Sequence, residues 1–420
     1  MKIELIRLDD YVDSPFNPRI MFKEGDPAFD SLSKSVDEFD FLQPLIVNTR
    51  TMHIVAGHLR KRVLKSKGID KAEAVIVDFD EVKEKAAVLG FNRISGAWDF
   101  ERLADILSEL SEVPNFDVSV TGFDAPEISR LFDRYSENKG EDDFDFDAAV
   151  ASIKEPITKK GDVIELNVNR IMCGDSASEN DLDVLMQNEK IDLVQTDPPY
   201  GCLYLAQNRP DLESRPKKSK RWEKLYKDDL NEKEYEEWIK SILKNMRRYL
   251  KDGAVAYIWN GHAKFYFVHQ ILKELGFHVS TVITWAKPTF SISYGDFNQQ
   301  SEFCLYSWLK NAPHKWYGPT NESSLWFIDR SKVSELIHPT QKSVEIPARA
   351  IRNSSVRGDI VFDGFLGSGS TLIAAESLER RCFGMEIEPK YCDAIVRRYI
   401  AYVGKNKVSS DIVKRYIKED

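Results

Sequence analysis

The sequence predicts an α/β protein in two parts: a doubly wound sheet toward the carboxyl terminus and, before it, a separate small α+β domain. Three observations carry this. After residue 150, strand-like apolar runs alternate with longer amphipathic segments, the pattern of a sheet covered by helices. Within that part, Asp359 to Glu376 reads as a buried strand, a glycine turn and a helix in immediate succession. Between the parts, Glu137 to Asp147 holds six acidic side chains against one basic one, with a glycine among them. Such a stretch is expected to stay solvated and extended, as a domain boundary.

In the first part, Leu45-Ile46-Val47, His53 to Ala56 and Ala74 to Val77 are short β-like runs, while Ser31 to Phe39 and Phe100 to Leu110 have helical spacing. In the second, Ile191 to Thr196 alternates roughly as a half-buried strand does. It must stop before Pro198 and Pro199, because proline gives no N–H to a ladder. A helix then starts at Asn231 with Glu234 completing a capping box. Trp238, Ile242 and Leu243 are expected to face inward and Lys251-Asp252-Gly253 to end it. Ala254 to Trp259 is the next strand, and Asp359 to Asp363 and Arg381 to Glu388 are two more.

With 420 residues, 42% hydrophobic and 11% aromatic, the chain can fill two packed cores. No apolar run approaches the roughly 18 residues of a membrane span, and Met1 to Leu5 lacks the apolar stretch of a signal peptide. A cytoplasmic protein is expected. The five cysteines are scattered, with no C-x-x-C pair and no Cys/His cluster at zinc spacing, so neither disulfides nor a metal are expected.

A net charge of −9 looks wrong for a nucleic-acid protein, but the average hides a local excess. Residues 1–136 carry 18 basic and 25 acidic side chains, whereas residues after 147 carry 40 and 37. Arg209, Arg215, Lys217, Lys218, Lys220, Arg221, Lys224 and Lys227 are opposed only by Asp211, Glu213 and Glu223. The plain reading is a solvated loop; its position just beyond Tyr200 points instead to phosphate contact.

Asp197-Pro198-Pro199-Tyr200 supplies a carboxylate, a stiff turn and an aromatic face at a strand end. The carboxylate and a proline-held carbonyl can each accept one hydrogen of an exocyclic amine while the tyrosine stacks on the ring that bears it. The tetrapeptide resembles the D-P-P-Y motif of amino-group DNA methyltransferases, in which the amine attacks a sulfonium methyl directly. Cytosine-C5 enzymes need a Pro-Cys nucleophile, and no cysteine here follows a proline.

Downstream, Gly364 and Gly369 have P-loop spacing and Thr371 is in register, but Ser370 stands where the phosphate-binding lysine would be. Phe365-Leu366-Gly367-Ser368-Gly369 instead resembles the F-x-G-x-G motif of S-adenosylmethionine-dependent DNA methyltransferases, with Asp363 before it and Ser370 and Thr371 after it. Glu386, with Glu388 as second choice, lies at the spacing at which an acid meets ribose hydroxyls. His338, Thr340, Gln341 and Lys342 lie in a segment close to the family's H-P-T-Q-K-P, with Ser343 replacing the last proline. Asp175 in Cys173-Gly174-Asp175-Ser176 looks like the family's G-D step, which meets the cofactor's adenine end or amino group. The order of the motifs is that of the permuted β class. The resemblance, over about residues 155–402, implies a Rossmann-like methyltransferase sheet and S-adenosylmethionine as cofactor.

Thr281 to Pro288 resembles the family's strand ending in W-x-K-P, and the segment after it is rich in aromatics, Asn and Gln, among them Phe290, Trp316, Tyr317 and Trp326. Target recognition is expected within 201–230 and 286–335. Duplex DNA is the implied partner, with the base flipped out. Aspartate at the first motif position favours adenine N6; cytosine N4 and RNA are alternatives, since both bases present the same amine.

Asn17-Pro18-Arg19, Gln43 to Val47, Gly57-His58-Leu59-Arg60-Lys61-Arg62 and Asn92-Arg93 together resemble the ParB amino-terminal, sulfiredoxin-like fold. In chromosome-partition proteins of that fold a G-E-x-R pattern serves a cytidine nucleotide site; here His58 replaces the glutamate. The part has no cysteine, which excludes sulfiredoxin chemistry. It is expected to dock DNA or protein, with a nucleotide as alternative. The implied organisation is a ParB-like domain at 1–115, a short helical segment and acidic linker at 116–150, a methyltransferase domain at 151–405 and a tail at 406–420. The implied protein is a site-specific adenine-N6 DNA methyltransferase, similar in arrangement to phage or prophage enzymes and dimeric as family members often are. The reading from another class is a ParB-like DNA-binding module with a non-catalytic methyltransferase half.

Overall fold

The computed structural model describes residues 2–39, 43–91, 98–114, 116–135, 142–200, 230–262, 264–291, 296–328 and 343–417. The chain divides into two compact units, Met1–Glu137 and Asn138–Asp420.

The first unit contains β1 (Lys2–Arg7), β2 (Val12–Asp13), α1 (Pro27–Phe39), β3 (Leu45–Asn48), β4 (His53–Ala56), α2 (His58–Ser66), β5 (Lys71–Val77), α3 (Glu81–Phe91), α4 (Phe100–Ser111) and α5 (Ala125–Tyr135). Its sheet has the order β1-β5-β3-β4-β2, and Leu8, Leu45, Val47, Ile54 and Leu64 form its core. A second cluster, Leu89, Leu103, Leu107 and Phe132, joins α3 to α4 and α5. The Glu84 carboxylate is fully buried between α3 and the sheet. It accepts hydrogen bonds from Ser14 (2.9 Å), Asn48 (2.6 Å) and Thr51 (2.6 Å) and meets His53 Nδ1 at 2.7 Å. Those donors hold its pKa below the ordinary value although burial opposes them.

The second unit contains α6 (Phe146–Ser152), β6 (Val163–Leu166), β7 (Asn169–Cys173), α7 (Glu179–Met186), β8 (Ile191–Thr196), α8 (Glu232–Arg247), β9 (Leu250–Asn260), α9 (Phe265–Glu274), β10 (Phe277–Ser291), β11 (Gln299–Leu309), β12 (Leu325–Phe327), α10 (Glu345–Ser354), β13 (Ile360–Asp363), α11 (Ser370–Ser377), β14 (Arg381–Glu386), α12 (Pro389–Val403) and α13 (Ser410–Tyr416). The sheet order is β12-β10-β11-β9-β8-β13-β14-β7-β6. The five strands from β9 to β7 run parallel, and antiparallel pairs flank them on both sides. This is the predicted α/β sheet, and apolar clusters fill both of its faces.

Several expectations need correction. All six residues of β8 are buried, so the strand is central rather than half-exposed, as parallel strands covered on both faces are. Asp192, which broke the apolar run, is neutralised in place by Lys251 and Lys315, each at 2.8 Å. The capping box at Asn231 and Glu234 forms as expected, but α8 ends at Arg247, and Lys251 to Gly253 already belong to β9. The ion pair with Asp192 holds Lys251 in the sheet.

Residues 142–147 are not solvated chain. Asp142 pairs with Arg398, Phe146 is buried edge-on to Tyr391 at 5.6 Å, and Asp145 caps α6 through the Ala148 N–H. Two phenylalanines among the acids, Phe144 and Phe146, supply apolar area that outweighs the charge density. The expected tail folds as well: α13 brings in a fully buried Tyr416, whose hydroxyl meets Thr158 Oγ1 at 2.9 Å. Trp326 is a core residue, 1% exposed, and so is removed from the base-reading candidates.

Candidate active site

β8 and β13 are neighbours in the sheet, yet the chain leaves β8 toward β9 and β13 toward β14. The crevice at their carboxyl ends is therefore the switch point of the sheet, where an open α/β fold places its ligands. Asp197 to Tyr200 follow β8, and the glycine turn follows β13.

The two strand ends are stitched together by side chains. Thr196 Oγ1 donates to Asp363 Oδ1 at 2.9 Å and accepts from the Gly364 N–H at 3.2 Å. Ser176 Oγ, beside the G-D step, donates to the Gly364 carbonyl at 2.6 Å. The remaining Asp363 oxygen accepts from Thr371 Oγ1 at 2.6 Å, and Oδ1 also takes the Phe365 N–H at 3.0 Å. Burial raises the Asp363 pKa to about 6. Asp363 and Thr371, assigned to the cofactor by the sequence, spend these groups on locking the turn.

Gly367 and Gly369 have φ values of +54° and +84°, in the left-handed region, and Gly369 is the N-cap of α11. Ser370 opens the helix. Phe365 packs edge-on to Trp238 of α8 with centroids 5.8 Å apart. At Gly384 in β14, a Cβ would lie 2.5 Å from Leu366, so the turn can sit on the strand only because that position is glycine. Glu386 ends β14 beneath the turn, with Oε2 accepting from the Gly367 N–H at 2.9 Å and Oε1 from the Glu388 N–H at 3.0 Å. Burial outweighs these donors and lifts its pKa to about 7. Glu388, the second choice, is exposed at the start of α12. Asp175 Oδ1 accepts from the Ala177 N–H at 2.9 Å, which turns the G-D step into α7.

On the other strand end, the Tyr200 hydroxyl donates to Asp197 Oδ1 at 2.8 Å and lies 3.4 Å from Glu302 Oε2. Glu302 also pairs with Lys287 Nζ at 2.5 Å. The Tyr200 ring lies against Gly261, where a Cβ would meet it at 3.2 Å. Burial and the two carboxylates hold the phenol well above its usual pKa, so it remains a neutral donor. The structure thus brings together Asp197, Pro198, Pro199, Tyr200, Asp175, Asp363, Phe365, Gly367, Gly369, Ser370, Thr371 and Glu386 along neighbouring strand ends. His338, Thr340, Gln341, Lys342, Arg215, Lys217, Lys218, Lys220 and Arg221 lie outside the described residues. Thr196, Ser176 and Glu302 were not singled out in advance. Thr196 and Ser176 had a signal, their places directly before Asp197 and directly after Asp175; Glu302 had none.

A model of the N6/N4 DNA methylase family matches residues 191–397. The Type II methyltransferase M2.MboI of Moraxella bovis is 30% identical over 250 residues, 54% of this chain and 88% of the relative. The chain belongs to the N6/N4 DNA methylase family. The Type II methyltransferase M.HpaI of Haemophilus parainfluenzae is 26% identical over 51% of this chain and 69% of its own length. The solved structure of M1.HpyAVI with SAM is 27% identical, covers 54% of this chain and 98% of its own, and has a TM-score of 0.40. Ahead of the methylase region, the ParB N-terminal domain matches residues 1–93 and a ParB-methyltransferase HTH domain matches 101–160. The HTH match spans all of α4 but its first residue, together with α5 and α6.

In the ParB-like unit, the residues of the G-x-x-R pattern carry structure. Gly57 takes φ +97° at the N-cap of α2, where a Cβ would lie 2.5 Å from Leu45. Arg60 is tied to Gln43 and the Pro44 carbonyl, and Arg62 to Asp13 at 2.6 Å. Among the described residues, Asn17 Oδ1, the Arg19 guanidinium nitrogens and His58 Nε2 are buried without a hydrogen-bond partner. Arg19 lies 4.1 Å over the Trp98 ring, and burial lowers the His58 pKa to about 4.

Proposed function

We propose that this DNA methylase transfers a methyl group from S-adenosylmethionine to the exocyclic N6 amine of an adenine flipped out of duplex DNA. The observation that carries the reading is the pairing of a carboxylate motif and a glycine turn on adjoining strand ends, joined through Thr196 and Asp363. The residues fit the cofactor: two left-handed glycines leave a cradle free of Cβ atoms, and Glu386 sits beneath it with a carboxylate that ribose hydroxyls would satisfy. When bound, the cofactor supplies an electrophilic methyl group. The α11 N-terminus favours the cofactor's carboxylate, and Asp175 its adenine end or amino group.

Asp197 accepts one amine hydrogen and turns the nitrogen lone pair out of the ring plane. The Tyr200 hydroxyl orients that carboxylate, and its ring offers a stacking face that offsets part of the unstacking cost, a few kcal/mol in order of magnitude. No covalent enzyme intermediate is required, so positioning and electrostatics supply the rate. Aspartate as the first motif residue supports adenine over cytosine.

DNA is read by the β10–β11 ribbon. Thr196, Ile258, Leu305 and Val282 lie in one row across the sheet, and β10 continues to Ser291, on the order of 30 Å of extended chain beyond it. A two-stranded ribbon fits the major groove. Phe290, near the end of β10, is 55% exposed, and Phe297, two residues before β11, is 85% exposed. The basic side chains between 209 and 227 contact phosphates.

Incubating the full chain with labelled cofactor and unmethylated DNA, then identifying the modified base by mass spectrometry, tests the proposal. N6-methyladenine is the expected product. N4-methylcytosine would replace the target base, and labelling of RNA alone or of nothing would overturn the reading. The unpartnered atoms at Asn17, Arg19 and His58 favour a second polar ligand at the ParB-like unit, for which a nucleotide is the candidate. Calorimetric titration of the full chain with CTP and ATP tests it, and absence of heat with both removes it.

A further inference from the structure

We propose that Arg398 and Asp142 are positioning residues for the cofactor turn, acting through the Ser368 carbonyl. The inference rests on the assignment of that turn to S-adenosylmethionine. Arg398 lies on α12 one residue past the end of the methylase match, and Asp142 lies within the HTH match, so the pair reaches from the HTH-matched region to α12.

The Arg398 side chain is 3% exposed. Its Nη1 donates to the Ser368 carbonyl at 2.7 Å, while Nε reaches Asp142 Oδ2 at 3.1 Å and Nη2 pairs with the same carboxylate. A buried guanidinium that directs two of its nitrogens at one carboxylate is held in one orientation, which in turn fixes the carbonyl it touches. The two neighbours of Ser368 are held from other directions: Gly367 by the Glu386 carboxylate and Gly369 by Ile395, which a Cβ there would approach to 3.1 Å. Three successive backbone positions of the turn are thus set by three separate groups, and Arg398 and Ile395 share one face of α12.

Asp142 opens a segment that runs along α12. Phe146 packs on Tyr391, Arg397 Nη1 donates to Ser152 Oγ at 3.3 Å, and the buried Asp393 carboxylate takes the Ile157 and Thr158 N–H groups at 2.7 and 2.9 Å. Of these contacts, that of Asp142 reaches through Arg398 to the turn. Removing its charge leaves a buried guanidinium underpaired and free to release Ser368.

The test is steady-state kinetics and calorimetry on full-length Asp142→Asn and Arg398→Lys, both close in size to the native side chains. Each variant should raise the KM and dissociation constant for S-adenosylmethionine about tenfold, in line with a lost hydrogen bond to a charged group. kcat at saturating cofactor and KM for DNA should stay within about twofold, and Asp142→Glu should restore cofactor affinity. A purely structural role would lower the melting temperature and leave cofactor affinity unchanged. Folded variants with wild-type cofactor affinity overturn this proposal alone; a wild-type chain that binds no S-adenosylmethionine overturns it together with the assignment of the turn.

Discussion

Thr196 Oγ1 donates to Asp363 Oδ1 at 2.9 Å, a bond between the strand end that carries Asp197 and the strand end that carries the glycine turn. Thr196→Val keeps the shape and removes the hydroxyl, leaving Asp363 and the Gly364 N–H each short of a partner. The loss of stability should be about 1–3 kcal/mol, measured by urea unfolding. An unchanged midpoint would mean that the bond holds nothing.

Asp197→Ala should lower methyl transfer by at least about 10²-fold, the scale for one lost electrostatic contact at a reacting centre, with cofactor affinity retained. Single-turnover rates with labelled cofactor measure it. Near-normal turnover would remove Asp197 from the chemistry.

Much of this site is legible in sequence because short, local chemistry defines it. Tandem prolines end a strand wherever they fall, and a glycine turn between a strand and a helix needs no distant partner to be recognised. The Asn231 cap is visible for the same reason. What escapes depends on contacts between distant residues: Ser176 with Gly364, Glu302 with Tyr200, and Arg398 with Asp142. The acidic segment misleads in the same way, since charge density counts Asp142 and Asp145 but not the groups they meet.

The Glu386 carboxyl, at about 7 in the ligand-free protein, is protonated over part of the neutral range. Because its folded pKa lies above the ordinary 4.5, its contribution to stability is present below that value and is lost as pH rises through about 7. The ribose contact proposed for Glu386 needs the ionised form, so cofactor affinity should rise across the same interval. Titrations from pH 6 to 8 check this, and Glu386→Gln should flatten the profile. An equally steep profile in the variant assigns the pH dependence to another group.

Phe290→Ala and Phe297→Ala should each raise the KM for DNA several-fold, on the scale of one base–aromatic contact worth about 1–3 kcal/mol, while leaving cofactor affinity alone. A fluorescent base analogue at the target position reports the flipping step. Full fluorescence with weakened DNA binding would limit these side chains to docking; no change in either would remove the ribbon from recognition.

Asp142 meets Arg398 across 256 residues of sequence, and Ile157 meets Asp393 across 236. A ribosome therefore releases nearly the whole methylase unit before its opening segment has anything to rest on. Contacts of such separation incur their loop-closure entropy before they return any stabilisation, which makes them late events in folding. The glycine turn after β13 consequently gains its Arg398 contact only when the last long helix arrives, and a chain cut short before α12 would lack the support proposed for its cofactor site.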